Sequence, residues 1–367
     1  MSIEILPQNI AEKIAAGEVV ERPCSVVKEL VENSIDASAT SITVEIENGG
    51  TTYIRVTDNG TGMNPEDAEK AFLRHATSKI KDEENLFAIS TMGFRGEALY
   101  AIGAVSLIEL RTKEHDAEAG IHLSMEGGVK SDVFSAAVSD GTSIVVKNLF
   151  YNTPARMKFL KTNRTEGAYI EDFVERIALA HTDIAFKLIS DGSQKLITGG
   201  NGNLNQAVHA IYGADYSKNI TDVNYSSDNM KISGVLGNSS VFRSNRNFQT
   251  FFVNGRYVKS PLVSNAVEEA HKSHIMVGKH PFFVLNLELP YSEVDINVHP
   301  AKTQVKFTNE SLVYKTIYWA IKNTLESDYN SANFKQTRHV PQMPDVFPAA
   351  KQTGFSFAQK GFSSNGV

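Results

Sequence analysis

The chain has 367 residues, 41% of them hydrophobic, with 36 basic against 42 acidic side chains for a net charge of −6. That is enough for two domains with ordinary cores, and the acidic balance excludes a whole-protein basic field for nucleic acid while leaving room for a local basic face. A single cysteine, Cys24, excludes an internal disulfide framework and a cysteine-built zinc site; no apolar run reaches membrane-spanning length and no basic-then-apolar leader opens the chain, so a cytoplasmic protein is expected.

Pro23 suits a first helical position, and residues 23–37 place Val26, Val27, Leu30, Val31 and Ile35 on one side at helical spacing, with Glu29, Glu32, Asn33 and Asp36 on the other. Alternation of Ile42, Val44 and Ile46, a turn at residues 48–50 and a second run from Tyr53 to Asp58 predict an antiparallel hairpin. Pro65 to Ala76 predicts a helix, residues 77–92 a mobile segment of mixed charge, Glu97 to Val105 a helix, and residues 106–150 several strands, notably Ser143 to Val146. A helix over 166–181 and a strand from Ala185 to Ile189 follow, and then the polar glycine cluster of residues 199–203, a boundary signal. Beyond it the pattern predicts a helix over Gln206–Tyr212 and strands near Lys231–Leu236, Gln249–Val253 and Phe282–Leu289. A helix from Ser260 to Ser273 separates the last two strands. A closing helix over 313–328 carries Trp319, read as core beside Tyr314, Ile317 and Ile321. From about 331 the periodicity disappears, and Pro341, Pro344 and Pro348 among Ser, Gln, Lys and Gly predict a disordered linker.

Three segments in the first hundred residues carry chemistry. Glu29, Glu32, Asn33 and Asp36 fall within a stripe of roughly 100° on one helix face. An asparagine oxygen suits magnesium, which keeps waters and phosphate oxygens among its ligands, and a carboxylate one turn away can hold an attacking water. Asp58-Asn-Gly-Thr-Gly62 ends a strand with an acid able to accept from an adenine amino group, and its glycines let the backbone approach a flat base. Gly93-Phe-Arg-Gly-Glu-Ala-Leu99 opens a helix whose free amides can bind phosphate, whereas the GxxxxGK[ST] phosphate loop is absent. Each segment alone reads more readily as an amphipathic face, a turn or a helix start; their ordered combination points to ATP.

Glu29…Asn33, Asp58-x-Gly-x-Gly62, Gly93-x-x-Gly96 and Gly141-Thr142 resemble the nucleotide motifs of the gyrase, Hsp90, histidine kinase and MutL superfamily. The strings at residues 14–23 (IAAGEVVERP), 74–79 (RHATSK), 150–156 (FYNTPAR) and 297–302 (NVHPAK) are similar to those of MutL mismatch-repair proteins, over roughly residues 1–330. The resemblance implies an α+β chain: a two-layer α/β sandwich ATPase domain over 1–203, a ribosomal-protein-S5-like β-α-β domain over 204–330, and the linker over 331–367. It implies slow, magnesium-dependent hydrolysis of ATP to ADP and phosphate, coupled to lid closure and ATP-dependent homodimerisation. It further implies signalling between the mismatch-recognition protein MutS and a downstream nuclease or helicase, in the bacterial cytosol and on the nucleoid when active.

By the same resemblance Glu29 activates water, Asn33 ligates magnesium, Asp58 and Gly62 hold adenine, and Thr142 supports that side. Thr77, Ser78, Lys79, Gly93, Phe94, Arg95, Gly96, Glu97, Ala98 and Leu99 line the nucleotide within a lid of about residues 74–96. Lys302, from the second domain, reaches the γ-phosphate. His75 reads as a structural or lid histidine rather than a phospho-acceptor. Arg156, Lys158, Lys161 and Arg164 after Pro154, and Arg243, Arg246, Arg256 and Lys259 around the strand Gln249–Val253, are candidates for weak, sequence-independent contact with DNA phosphates. Two alternatives stay open: a switch or scaffold of the same superfamily without turnover, and a histidine-kinase-type phosphotransferase. The short stretch before Glu29 and the HPAK string disfavour the second.

Overall fold

The computed structural model describes residues 16, 17, 19–77, 96–227, 229–273, 275–295 and 305–336, with 328–336 as backbone only. Ser78, Lys79, Gly93, Phe94, Arg95 and Lys302, most of the segment expected to be mobile, and residues 337–367 lie outside the described residues.

Helix α1 (Pro23–Asp36) starts at the expected proline and buries Val26, Val27, Leu30 and Val31, together with Ser34. Strand β1 (Ser41–Glu47) turns through residues 48–50 into β2 (Tyr53–Asp58), pairing antiparallel from Ile42 opposite Asp58 to Glu47 opposite Tyr53. Helix α2 (Pro65–Lys70) is shorter than the pattern suggests: Asn64 caps it by accepting from the Asp67 N–H, but the chain leaves it at Ala71 and reaches the left-handed region at His75, φ 62°. Helix α3 (Ala98–Ala104) leads to β3 (Leu107–Lys113), β4 (Gly120–Glu126), the short β5 (Val129–Lys130) and β6 (Phe134–Ala136), and β7 (Gly141–Lys147). Helices α4 (Pro154–Phe159) and α5 (Asn163–Ala180) precede β8 (Ala185–Ser190) and the edge strand β9 (Ser193–Ile197).

Among the described residues these strands form one sheet in the order β5-β4-β3-β7-β2-β1-β8-β9, with β6 on β4. Pairing is antiparallel except for β1 with β8. Alternation fixes which face is covered: Ile42, Val44, Ile54, Val56, Leu110 and Val146 point into a core closed by Val27, Leu30, Val31, Ile170 and Val174 of α1 and α5. The opposite face carries Glu45, Arg55, Thr57 and Ser143, paired across strands, as in a two-layer sandwich.

Helices α6 (Leu204–Tyr212) and α7 (Ala214–Ser217) open the second half, followed by β10 (Ile220–Ser227), β11 (Met230–Gly237), β12 (Gln249–Val253), β13 (Arg256–Tyr257), helix α8 (Pro261–Ala270) and β14 (Phe283–Glu288). The order is β10-β11-β14-β12-β13, with β12 parallel to β14 across the α8 connection, a β-α-β unit. All five residues of β12 are buried because both faces are covered: Phe251 and Val253 pack with Val263, Val267 and Ile317, while Phe252 joins Leu179, Val208 and Phe282 on the other side. A small ribbon of β15 (Val294–Asp295) and β16 (Lys306–Phe307) precedes helix α9 (Glu310–Gln336), which continues through residues 331–336, where the linker was expected to begin. Trp319 is not core: it is 48% exposed, because the stripe of Val313, Ile317, Ala320 and Ile321 turns inward and leaves position 319 on the solvent side.

The expected boundary at 199–203 is a change of sheet within one compact unit, Met1–Leu325; the second unit is Glu326–Val367. The join is packed, since Leu179 at the end of α5 shares a cluster with Ala207, Val235, Phe252 and Phe282. Beside it, Arg176 donates to Asp172 at 2.9 and 2.5 Å and lies 4.2 Å over the Tyr257 ring. Burial, with the nearby Glu171 and Asp172 carboxylates, pushes Glu175 on this helix from 4.5 to about 7. The folded chain therefore keeps a proton that the unfolded chain has lost, and this contribution is present below pH 4.5 and fades as pH rises from 4.5 to 7. Glu175→Gln should be more stable than the parent at pH 8, on the order of 1 kcal/mol after solvent screening, with the advantage vanishing near pH 4.5, as followed by thermal unfolding at both pH values.

Candidate nucleotide site

Strand β2 delivers Asp58 beneath the C-terminal turn of α1. The Ser34 hydroxyl donates to Asp58 Oδ2 at 2.7 Å, the Gly60 N–H donates to Oδ1 at 2.9 Å, and the carboxylate is 9% exposed. Burial pushes this carboxyl above its ordinary range, opposed by the hydrogen bonds from Ser34, Gly60 and the Thr142 N–H. Thr142 stands directly opposite Asp58 in the β2–β7 register. Its hydroxyl lies 3.0 Å from that of Thr112, which also donates to the Gly141 carbonyl at 3.0 Å and accepts from the Met63 N–H at 2.9 Å. The loop after Asp58 is thereby tied to β3 and β7. Gly62 has φ 70°, and a Cβ there would come within 2.0 Å of the Lys113 carbonyl oxygen, so only glycine fits.

The polar face of α1 follows the spacing expected of it. Glu29 and Asn33 are half-buried, one turn apart. Lys28 lies 3.8 Å from Glu32, whereas Glu29 has no hydrogen bond or ion pair among the described residues. Asn33 has a neutral amide oxygen, a donor that fits magnesium completing its shell with water and phosphate oxygens, and Glu29 places a carboxylate one turn away.

The described ends of the expected lid lie side by side. His75 Nδ1 is 3.1 Å from Glu97 Oε1, Arg74 lies 5.7 Å over the Tyr100 ring, and a Cβ on Gly96, at φ 59°, would meet the Ala76 carbonyl oxygen at 2.6 Å. Thr77 is exposed, and Glu97, Ala98 and Leu99 form the half-buried start of α3.

The basic candidates divide. Lys158, Lys161, Arg164 and Lys259 are exposed. Arg156 is half-buried against Gly17, where desolvation lowers its pKa. Arg243 stacks 4.5 Å over Tyr216, and Arg246 is held by a two-point ion pair with Glu268 at 2.9 and 2.7 Å. Arg256 is half-buried in β13. Ser34 and Thr112 are the site residues that sequence reasoning missed. Their signal was a hydroxyl at a position that the apolar period assigns to the core.

Residues 21–135 match the family described as histidine kinase-, DNA gyrase B-, and HSP90-like ATPase, and residues 208–326 match that of the DNA mismatch repair protein, C-terminal domain. The chain is 49% identical over 352 residues to the DNA mismatch repair protein MutL of Agathobacter rectalis, covering 96% of this chain and 53% of that protein. It belongs to the MutL family. The chain spans about half the length of the curated MutL relatives it matches. Among solved structures, the N-terminal domain of a DNA repair protein superposes with a TM-score of 0.73 at 26% identity, over 89% of this chain and 99% of that one. The Aquifex aeolicus MutL ATPase domain complexed with ADP does so with 0.60 at 26%, over 82% and 98%. The fold is therefore the mixed α/β fold of MutL and gyrase B ATPase structures, and the MutL resemblance drawn from the motifs holds.

Removing the Ser34 hydroxyl leaves a buried carboxylate short of one donor. Ser34→Ala should cost about 1–3 kcal/mol of stability, read as a lowered denaturation midpoint at unchanged m-value.

Proposed function

We propose that this chain binds ATP with magnesium over α1 and hydrolyses it slowly to ADP and phosphate, as the nucleotide switch of a mismatch-repair protein. The observation that carries the reading is the Ser34–Asp58 bond, which ties an adenine-reading acid to the same helix that presents Glu29 and Asn33. Asp58 retains acceptor capacity beyond its bonds to Ser34, Gly60 and Thr142, as recognition of an adenine amino group requires. Gly62 and Thr142 flank the base, and the Gly96–Leu99 helix start, with Gly93, Phe94, Arg95, Thr77, Ser78 and Lys79, holds the phosphates.

Magnesium, held by Asn33, would neutralise phosphate charge when bound. Glu29 orients a water and accepts its proton as the oxygen attacks the γ-phosphorus; the bond from phosphorus to the bridging oxygen breaks, and ADP leaves with the electron pair. Lys302 stabilises the γ-phosphate charge, so that nucleotide state becomes geometry of the second half of the chain.

ATP binding then favours a homodimer, and hydrolysis releases it. The wider assembly follows from family membership: MutS upstream, a nuclease or helicase downstream, and DNA held without sequence preference. For DNA, Lys158, Lys161, Arg164 and Lys259 are favoured over Arg156, Arg243, Arg246 and Arg256, because their charges face water. A net charge of −6 makes such binding salt-sensitive and weak.

Glu29→Ala should lower phosphate release by about a hundredfold or more while nucleotide remains bound. Release at the parent rate from the variant, or transfer of γ-phosphate to the protein, contradicts this reading. A parent chain that binds ATP without releasing phosphate leaves the scaffold alternative.

A further inference from the structure

Helix α1 is unequally fastened. Its C-terminal end is held by Ser34 on Asp58, by Ala37, Ser38 and Ala39 N–H groups bonding back to the helix, and by Thr61 N–H on the Ala37 carbonyl. Among the described residues its N-terminal end has no such device: the Arg22 side chain at the N-cap position makes no capping hydrogen bond, and the first turn carries no acidic residue. The start is held by α5 instead. Cys24 Sγ donates to the Tyr169 carbonyl at 3.3 Å, Arg22 lies 4.9 Å over the Tyr169 ring, and Arg22 Nη1 lies 3.9 Å from Glu166 Oε2.

Glu166 is an unusual partner. It is 1% exposed, and its Oε1 accepts from the Lys161 N–H at 2.9 Å, while Oε2 is buried with no hydrogen bond. A carboxylate in that position is costly unless an opposite charge faces it, and Arg22 faces it. Arg22 itself is 38% exposed and can be solvated without Glu166. Glu29 lies seven residues on, about 10 Å along the helix axis, between this anchor and the Ser34 anchor.

The geometry points to Glu166 and Arg22 as positioning residues for hydrolysis: a charge pair between the buried Glu166 of α5 and the half-exposed Arg22 at the start of α1 that sets where Glu29 stands over the γ-phosphate. This rests on the ATPase reading above. Adenine recognition depends on the other end of α1, so loss of the pair swings the Glu29 end while the Asp58 end stays in place. Turnover should fall with little change in nucleotide affinity, since small misplacements of a reacting group are costly.

The test compares the parent with Glu166→Gln, Arg22→Gln, Arg22→Lys and the Glu166→Gln/Arg22→Gln pair, measuring kcat and KM for phosphate release, ADP affinity by calorimetry, and Tm. Glu166→Gln keeps the acceptor for Lys161 and loses only the charge. It should lower kcat roughly tenfold, with KM and ADP affinity within about twofold. Arg22→Lys should keep most of the turnover, because at 3.9 Å without a hydrogen bond the contact needs a charge rather than a guanidinium fork. Arg22→Gln should melt lower than the double variant, since it strands a buried carboxylate that the second change removes. Parent-like kcat in Glu166→Gln, or equal loss of kcat and ADP affinity, overturns the positioning role while leaving the ATPase reading intact. A parent that releases no phosphate overturns both.

Discussion

The structure depends on one buried hydrogen bond, from the Ser34 hydroxyl to the Asp58 carboxylate. It joins the polar end of a strand to the inward face of a helix at a point where hydrophobic contact alone would leave a charge stranded. Because Asp58 is held by Ser34, Gly60 and Thr142, its unused acceptor positions face a fixed direction. The same bond sets the depth of α1, and so the height of Glu29 and Asn33 on the outer side of that helix. On the proposed reading, recognition of a base and handling of a phosphate are two faces of one packed element.

Helix α5 braces this arrangement from outside. Its N-terminal half meets the start of α1 through Glu166 and Tyr169 and covers the β1–β2 turn at Gly49 and Gly50. Its C-terminal half carries Arg176 and Leu179 against β13 and the second sheet. One rigid helix therefore touches the helix carrying the proposed base, the turn leading to Asp58, and the sheet that precedes Lys302 in the chain. On the proposed reading, a helix placed in this way passes a change at the nucleotide to the second half of the chain without a flexible relay.

Much of this was legible because period and chemistry agreed locally. The apolar stripe of α1, the alternation of Ile42, Val44 and Ile46, and the glycines after Asp58 each specify one conformation. Strands β9 and β10 were not seen, because Ser193, Gln194 and Lys195 sit on an exposed edge and β10 mixes Asp222 and Asn224 into its run. Trp319 was misplaced because apolar neighbours in sequence do not share a face unless the helical turn brings them round. The roles of Ser34 and Thr112 depend on partners 24 and 29 or more residues away, which no local pattern contains. The basic clusters were legible only as clusters: that Arg246 is occupied by Glu268, 22 residues on, and that Lys161 is exposed, are tertiary facts.

The most direct measurement is the affinity of ADP for Asp58→Asn compared with the parent, by calorimetry, with the denaturation midpoint taken alongside. Asparagine keeps the shape and an oxygen for Ser34 but presents an amide where the adenine amino group needs an acceptor. The account predicts a folded variant whose affinity is at least about tenfold weaker. A folded variant that binds ADP as tightly as the parent would contradict the placement of the base at Asp58.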